Sequence, residues 1–274
     1  MAKTFDANRT WDEAVRIFKA NRELILILAG LFFLLPALIA AAFAPEVLAG
    51  PTITDANNSG PVIQEWIANN IVNVILLQVL QLLGLVSLIA LFARRRPTVS
   101  EAIKDGLGAL LPLIGANFLM GIALALVLTI ALTLLAYLGT AAVILGLIFL
   151  LPILYYLFAR VSPLTPLFVF EERRNPITAI RDSWRLTKGV GWRIAGFFAL
   201  LTIAAIVIGA VFSLIGKLIS ALMGSGDLAL FVSLGISALV SAVLQSLLAC
   251  ILTAIYRQLI AREAPSALDP TAPN

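Results

Sequence analysis

Residues 106–159 read GLGALLPLIGANFLMGIALALVLTIALTLLAYLGTAAVILGLIFLLPILYYLFA, a run of 54 positions without one Asp, Glu, Lys or Arg. A helix needs about 20 residues to cross the roughly 30 Å hydrocarbon core of a bilayer, so this run is too long for one crossing and long enough for two. The reversal is expected near Tyr137, Gly139 and Thr140. Two further apolar runs lie before it and two after. The expected fold is therefore all-α integral membrane, with six transmembrane helices at about 24–44, 66–92, 110–134, 139–159, 194–216 and 228–256. One membrane domain would occupy residues 1–262, and the Ala/Pro-rich tail, 263–274, is expected to be disordered.

Composition points the same way. Of the 274 residues 61% are hydrophobic and 12% charged, whereas soluble chains are nearer 45–50% apolar and about 25% charged. The chain contains no histidine, which removes imidazole acid/base chemistry, His-based zinc sites and Ser-His or Cys-His nucleophile pairs. A single cysteine, Cys250, excludes an internal disulfide and any CxxC motif. No connection between spans is long enough for a soluble domain. Catalysis, a metal, a cofactor and nucleic-acid binding are accordingly not expected.

Orientation follows from the basic residues, which favour the cytoplasmic side. Lys3, Arg9, Arg16, Lys19 and Arg22 precede the first span, and Arg94, Arg95, Arg96 and Lys104 lie in the second connection. Arg160, Arg173, Arg174, Arg181, Arg185, Lys188 and Arg193 fill the fourth, and Arg257 and Arg262 follow the last span. With six crossings, 18 of the 19 basic residues share one side, and Lys217 alone lies near the other. Both termini should face the cytoplasm of a multi-pass inner-membrane protein. Ala42, Phe43 and Ala44 resemble a signal-peptide cleavage site, but the span is long and Pro45 would follow the cut, so an uncleaved first span is expected.

The basic segments also resemble one another. Thr10, Glu13, Ala14, Val15 and Arg16 line up with Thr98, Glu101, Ala102, Ile103 and Lys104 at an offset of 88. Glu101 to Asp105 then align with Thr178 to Asp182 at an offset of 77. Thr10 with Glu13, and Thr98 with Glu101, have the spacing of capping boxes, and Asn175 before Pro176 is a further helix start. The expected unit is an interfacial amphipathic helix plus a transmembrane hairpin, used three times. Trp11, Ala14, Val15 and Phe18 would form the apolar face of the first helix, and Ile177, Ile180, Trp184 and Thr187 that of the third. Such faces are expected to lie down in the headgroup layer, with basic residues toward anionic lipid.

Two constellations could carry function. Arg173, Arg174, Arg181, Arg185, Lys188 and Arg193 are candidates for binding a phosphate-bearing headgroup, against the alternative of an ordinary positively charged connection. Asn70, Asn73 and Gln81 on the second span, Asn117 on the third and Gln245 on the sixth are candidates for a polar cavity, against hydrogen bonding that only packs helices. Ser233, Ser237 and Ser241 continue the Gln245 line at a spacing of four. No carboxylate or cation lies within a predicted hydrocarbon core, which removes the usual parts of a proton relay. Pro36, Pro112 and Pro152 should bend their helices.

The stretch from Ala179 through Ser183, Trp184, Leu186, Thr187, Lys188 and Gly189 to Trp192 and Arg193 resembles the signature of the glycerophosphoryl diester phosphodiesterase membrane-domain superfamily of bacteria. Outside this stretch the likeness is one of topology and hydropathy. The resemblance implies a stand-alone bacterial membrane protein without the soluble phosphodiesterase barrel, so no catalytic residue carries over. It gives Ser183, Trp184, Thr187, Lys188, Gly189 and Trp192 an architectural role. The expected function is a non-catalytic inner-membrane protein that organises lipid or a partner at the cytoplasmic leaflet; the alternative is a carrier or flippase for a lipid-linked or amphipathic solute. Membrane lipids, anionic above all, are the expected partners, with a second membrane protein as a further candidate.

Overall fold

The structure, a computed structural model, describes residues 5–54, 59–93, 98–171, 175–224 and 226–263. Among these residues there is no strand. A short helix α1 (Ala7–Ala20) precedes the first span, in which α2 (Arg22–Ala29), a π-helical stretch (Gly30–Leu34) and α3 (Leu35–Phe43) run on from one another. Then follow α4 (Pro45–Ala49), α5 (Ser59–Leu91), α6 (Val99–Tyr137), α7 (Thr140–Val161), α8 (Leu164–Phe170), α9 (Pro176–Leu186), α10 (Gly191–Met223) and α11 (Asp227–Glu263). Six helical stretches are long and apolar enough to cross a membrane: Arg22–Phe43, Ser59–Leu91, Val99–Tyr137, Ala142–Phe170, Gly191–Met223 and Asp227–Glu263. The protein is an all-α polytopic membrane protein.

The reversal inside the long uncharged run falls at Gly139, whose φ of 99° is open to glycine and strained for other residues. Helix α6 has 39 residues, about 58 Å at 1.5 Å per residue, nearly twice the hydrocarbon thickness. Its first turns, bearing Glu101, Lys104 and Asp105, therefore lie beyond the apolar layer. In the first span, Leu35 donates its N–H to Gly30 O, five residues back. The widened turn lies just before Pro36, whose missing N–H would otherwise complete the ladder.

Every Lys and Arg among the described residues except Lys217 lies at or near the end of the bundle that carries α1, α9 and the close of α11. This is the basic end, and most of the core is there. Helix α11 is central, touching the first span, α1, α4, α5, α8, α9 and α10. Residues 249–256 of α11 are buried without interruption, as expected of a segment apolar all round. Thr253 stays polar at no cost by donating to Ala249 O at 2.9 Å. Around this segment pack Ile25 and Leu28 of the first span, Leu88, Ile89 and Leu91 of α5, Leu167 of α8 and Ile194 of α10. The opposite, far half is different: Leu134 of α6, Phe149 of α7 and Leu214 of α10 are each more than 60% exposed.

Four sequence expectations need correction. The cap of α1 is Asp6, whose carboxylate accepts from the N–H groups of Asn8 and Arg9 at 2.9 and 3.1 Å. Thr10 lies one turn inside the helix, buried, donating to Asp6 O at 2.9 Å and facing Gln258 Oε1 at 3.1 Å. The Thr98 and Glu101 capping box and the Asn175 cap do form, so two helix starts rather than three follow the alignment. Second, the face that α1 packs on α11 consists of Thr10, Ala14 and Ile17, all buried, and of the expected apolar face it takes in Ala14 while Trp11 is 40% exposed. Third, the middle segment is no separate interfacial helix but the opening of α6. Fourth, the stretch 161–170, read as connection, contains α8, whose Leu164, Pro166, Leu167 and Phe168 are buried. The tail 264–274 lies outside the described residues.

Candidate functional site

At the basic end, the residues singled out in α9 and its flank build a clasp on the close of α7. Ser183 Oγ donates to Arg160 O at 2.7 Å, and Thr187 Oγ1 donates to Ser183 O at 2.8 Å. Both side chains are completely buried. The Arg160 guanidinium lies 4.5 Å from the Trp184 ring centre and 5.8 Å from that of Tyr156, within cation–π range. Tyr156 packs in turn on Trp192, with ring centroids 4.7 Å apart. Gly189, at φ 79°, ends the α9 segment. Gly191 admits the clasp, since a Cβ there would come within 2.8 Å of Tyr156 and 3.0 Å of Arg160. Arg160, counted in the sequence only as one more basic residue, is the hub, and its Nε is buried without a partner among the described residues. The readable signal was its place at the close of an apolar run, four residues after Tyr156.

Outside the clasp, Arg181, Arg185, Lys188 and Arg193 are all exposed. Arg185 lies 3.6 Å from Asp182 and 3.9 Å from Glu263. Arg181, Lys188 and Arg193 form no ion pair with a described residue. Trp192 and Ile177 stand out among them, 62% and 70% exposed. Arg173 and Arg174 lie outside the described residues. The opposite edge of the basic end is held by Arg257, which reaches Glu13 at 3.1 Å and Phe92 O at 2.9 Å, while Tyr256 donates to Glu171 at 2.9 Å and stacks on Phe170.

Of the five cavity candidates, the structure brings two together. Gln81 of α5 and Gln245 of α11 line a chamber of about 300 Å³ with Ser237, Ser241, and Phe33 and Ala37 of the first span. Leu48 of α4 also lines it, and α4 is fastened by Trp66 Nε1 donating to Glu46 O at 3.0 Å. Asn70 is buried but donates to Trp66 O of its own helix at 3.0 Å. Asn117 is exposed and donates to Leu113 O at 3.0 Å. Asn73 borders a separate, mainly apolar groove of about 460 Å³ on the other flank of the first span, with Phe32, Pro36 and Leu80. A period of 3.6 aligns these amides on one helix; it cannot say which neighbour each meets. Among the described residues no three of His, Cys, Asp and Glu gather as a metal site would need.

The fold and these two sites define a polytopic helical membrane protein with a basic, clasped end and a small polar chamber. Comparison with family models, curated proteins and solved structures finds no match.

Proposed function

We propose that this chain is a non-catalytic protein of a bacterial inner membrane, with both termini in the cytoplasm, that organises anionic lipid at the cytoplasmic leaflet. We place it, on the Ser183 to Trp192 stretch, with the stand-alone relatives of the glycerophosphoryl diester phosphodiesterase membrane-domain superfamily. The observation that carries the lipid reading is the surface over the clasp. Arg181, Lys188 and Arg193, three exposed cations that form no ion pair with a described residue, share α9, its flank and the start of α10 with exposed Trp192 and Ile177. Cations near an anionic leaflet contribute about 1 kcal/mol each, and an indole favours the headgroup level. The buried hydrogen bonds of Ser183 and Thr187 support this reading, because a fixed platform loses little freedom on binding. The packed core of the basic end favours lipid organisation over passage of a solute through the bundle.

The test is the lipid retained by the purified protein. Replacing Arg181, Lys188 and Arg193 together by Ala should lower bound phosphatidylglycerol and cardiolipin per protein by roughly threefold or more, with phosphatidylethanolamine unchanged. An unaltered anionic fraction removes the proposal. Sidedness is checked in a Cys250→Ser background: a cysteine at Asn58 should react with an impermeant maleimide in intact cells, and one at Lys188 only after permeabilisation. The reverse pattern inverts the topology.

A further inference from the structure

The chamber between the first span, α5 and α11 plays no part in the reading above, and its chemistry is specific. Gln81 and Gln245 make no hydrogen bond with a described residue, although each carries two N–H donors and a carbonyl acceptor. Ser241 is likewise unpartnered, while Ser237 donates to Ser233 O at 3.1 Å and keeps its lone pairs. Phe33, Ala37, Ala238 and Ala242 supply apolar wall, and among the described residues no Asp, Glu, Lys or Arg lines the chamber. Both glutamines lie 11 residues before the close of their predicted spans at 92 and 256, about 16 Å of helix from that boundary and so near the middle of the bilayer. Polar groups at that depth without partners are costly, and an occupant that hydrogen-bonds them removes the cost.

We propose that this chamber binds the uncharged, hydroxyl-bearing headgroup of a membrane lipid. A phosphate or carboxylate would enter without a counter-charge in a medium of low dielectric, which disfavours it strongly. Sugar or glycerol hydroxyls both donate and accept, matching two amides and two serines. Access is lateral: Ser237 and Ser241 are exposed on α11, on the same helix as exposed Leu239 and Val243. The lipid chains can therefore stay in the bilayer while the headgroup sits inside. The first span is shaped to leave this space. Gly84 of α5 seats its π-helical stretch, since a Cβ at Gly84 would lie 2.5 Å from Phe32 Cβ and 2.7 Å from Phe33 Cε1.

The experiment uses the full chain in detergent and native mass spectrometry, with monoglucosyl diacylglycerol as probe and phosphatidylglycerol as charged control. The wild-type protein should retain the glycolipid, and Gln81→Met with Gln245→Met should reduce that adduct roughly tenfold while leaving phosphatidylglycerol adducts unchanged. Ser237→Phe, at an exposed position on α11, should block the mouth and give the same loss with both amides intact. The proposal is overturned if no glycolipid adduct forms, as when the chamber holds only water. It is equally overturned if folded variants retain the adduct at wild-type level, or if phosphatidylglycerol is the lipid lost. The basic-face variant of the preceding section should leave the glycolipid adduct untouched, so the two proposals fail separately.

Discussion

The basic end and the far half are built from the same apolar residues, yet one is a packed core and the other a set of helices open to their surroundings. At the basic end Leu88, Leu91, Ile194 and Ile255 are wholly or almost wholly buried. In the far half Phe118, Leu134, Phe149 and Leu214 are each more than 60% exposed. Lipid tails are as apolar as leucine, so inside the bilayer burying a leucine against another helix gains little over leaving it in lipid. Where the bundle reaches water and headgroups, the same burial is driven, and hydrogen bonds and ring contacts such as the clasp add direction. The difference teaches that stability is concentrated at the end where solvent changes.

Substitutions can break that contrast, and glycine offers the widest gap. A Cβ at Gly106 would sit 2.5 Å from Ser87 Oγ and 3.1 Å from Ser87 N, so Gly106→Val should cost about 3 kcal/mol. Gly121 meets nothing within 4 Å, and Gly121→Ala should instead stabilise its helix by about 0.5–1 kcal/mol. Equal shifts in reversible unfolding in detergent would refute the division into two halves. Truncation gives the next contrast. Leu88→Ala should cost about 2–5 kcal/mol, since it opens a cavity in a filled core, whereas Leu147→Ala, at a site 49% exposed, should stay within about 0.5 kcal/mol.

The smallest contrast lies within the basic end and sharpens where its stability comes from. Ser183→Ala removes the 2.7 Å hydrogen bond to Arg160 O and should cost about 1 kcal/mol. Arg185→Ala removes only exposed pairs at 3.6 and 3.9 Å and should change stability by less than about 0.5 kcal/mol. If Arg185→Ala proves the more damaging, charge pairing rather than the clasp organises α9.

Much of the architecture was legible because a bilayer imposes length. The turn at Gly139 could be placed from the length of an uncharged run alone, and Thr98 with Glu101 announced a helix start through a local rule. Thr10 with Glu13 obeyed the same rule and misled, because Asp6 lies four residues earlier and docking on Gln258 places Thr10 inside the helix. Stretch 161–170 hid α8, because two prolines and a serine at 162, 163 and 166 read as connection while the surrounding core recruits its apolar residues. Among the cavity candidates, periodicity put Asn70, Asn73 and Gln81 on one helix. Their fates diverged because each amide faces a different neighbour.

The amino-acid sequence by itself determined that this is a six-span helical membrane protein lacking imidazole chemistry, since hydropathy, span length and composition need no partner to act. Only the tertiary structure decided that Arg160 is the hub of the Ser183 and Trp184 clasp, that α1 packs on α11 through Thr10, Ala14 and Ile17, and that Gln81 and Gln245 line one chamber. The physical reason is range: crossing a bilayer is a property of one segment and its solvent, whereas a site is a meeting of side chains from different segments. Which faces meet depends on helix rotations and small-residue contacts, such as Gly84 under the first span, that no single segment encodes.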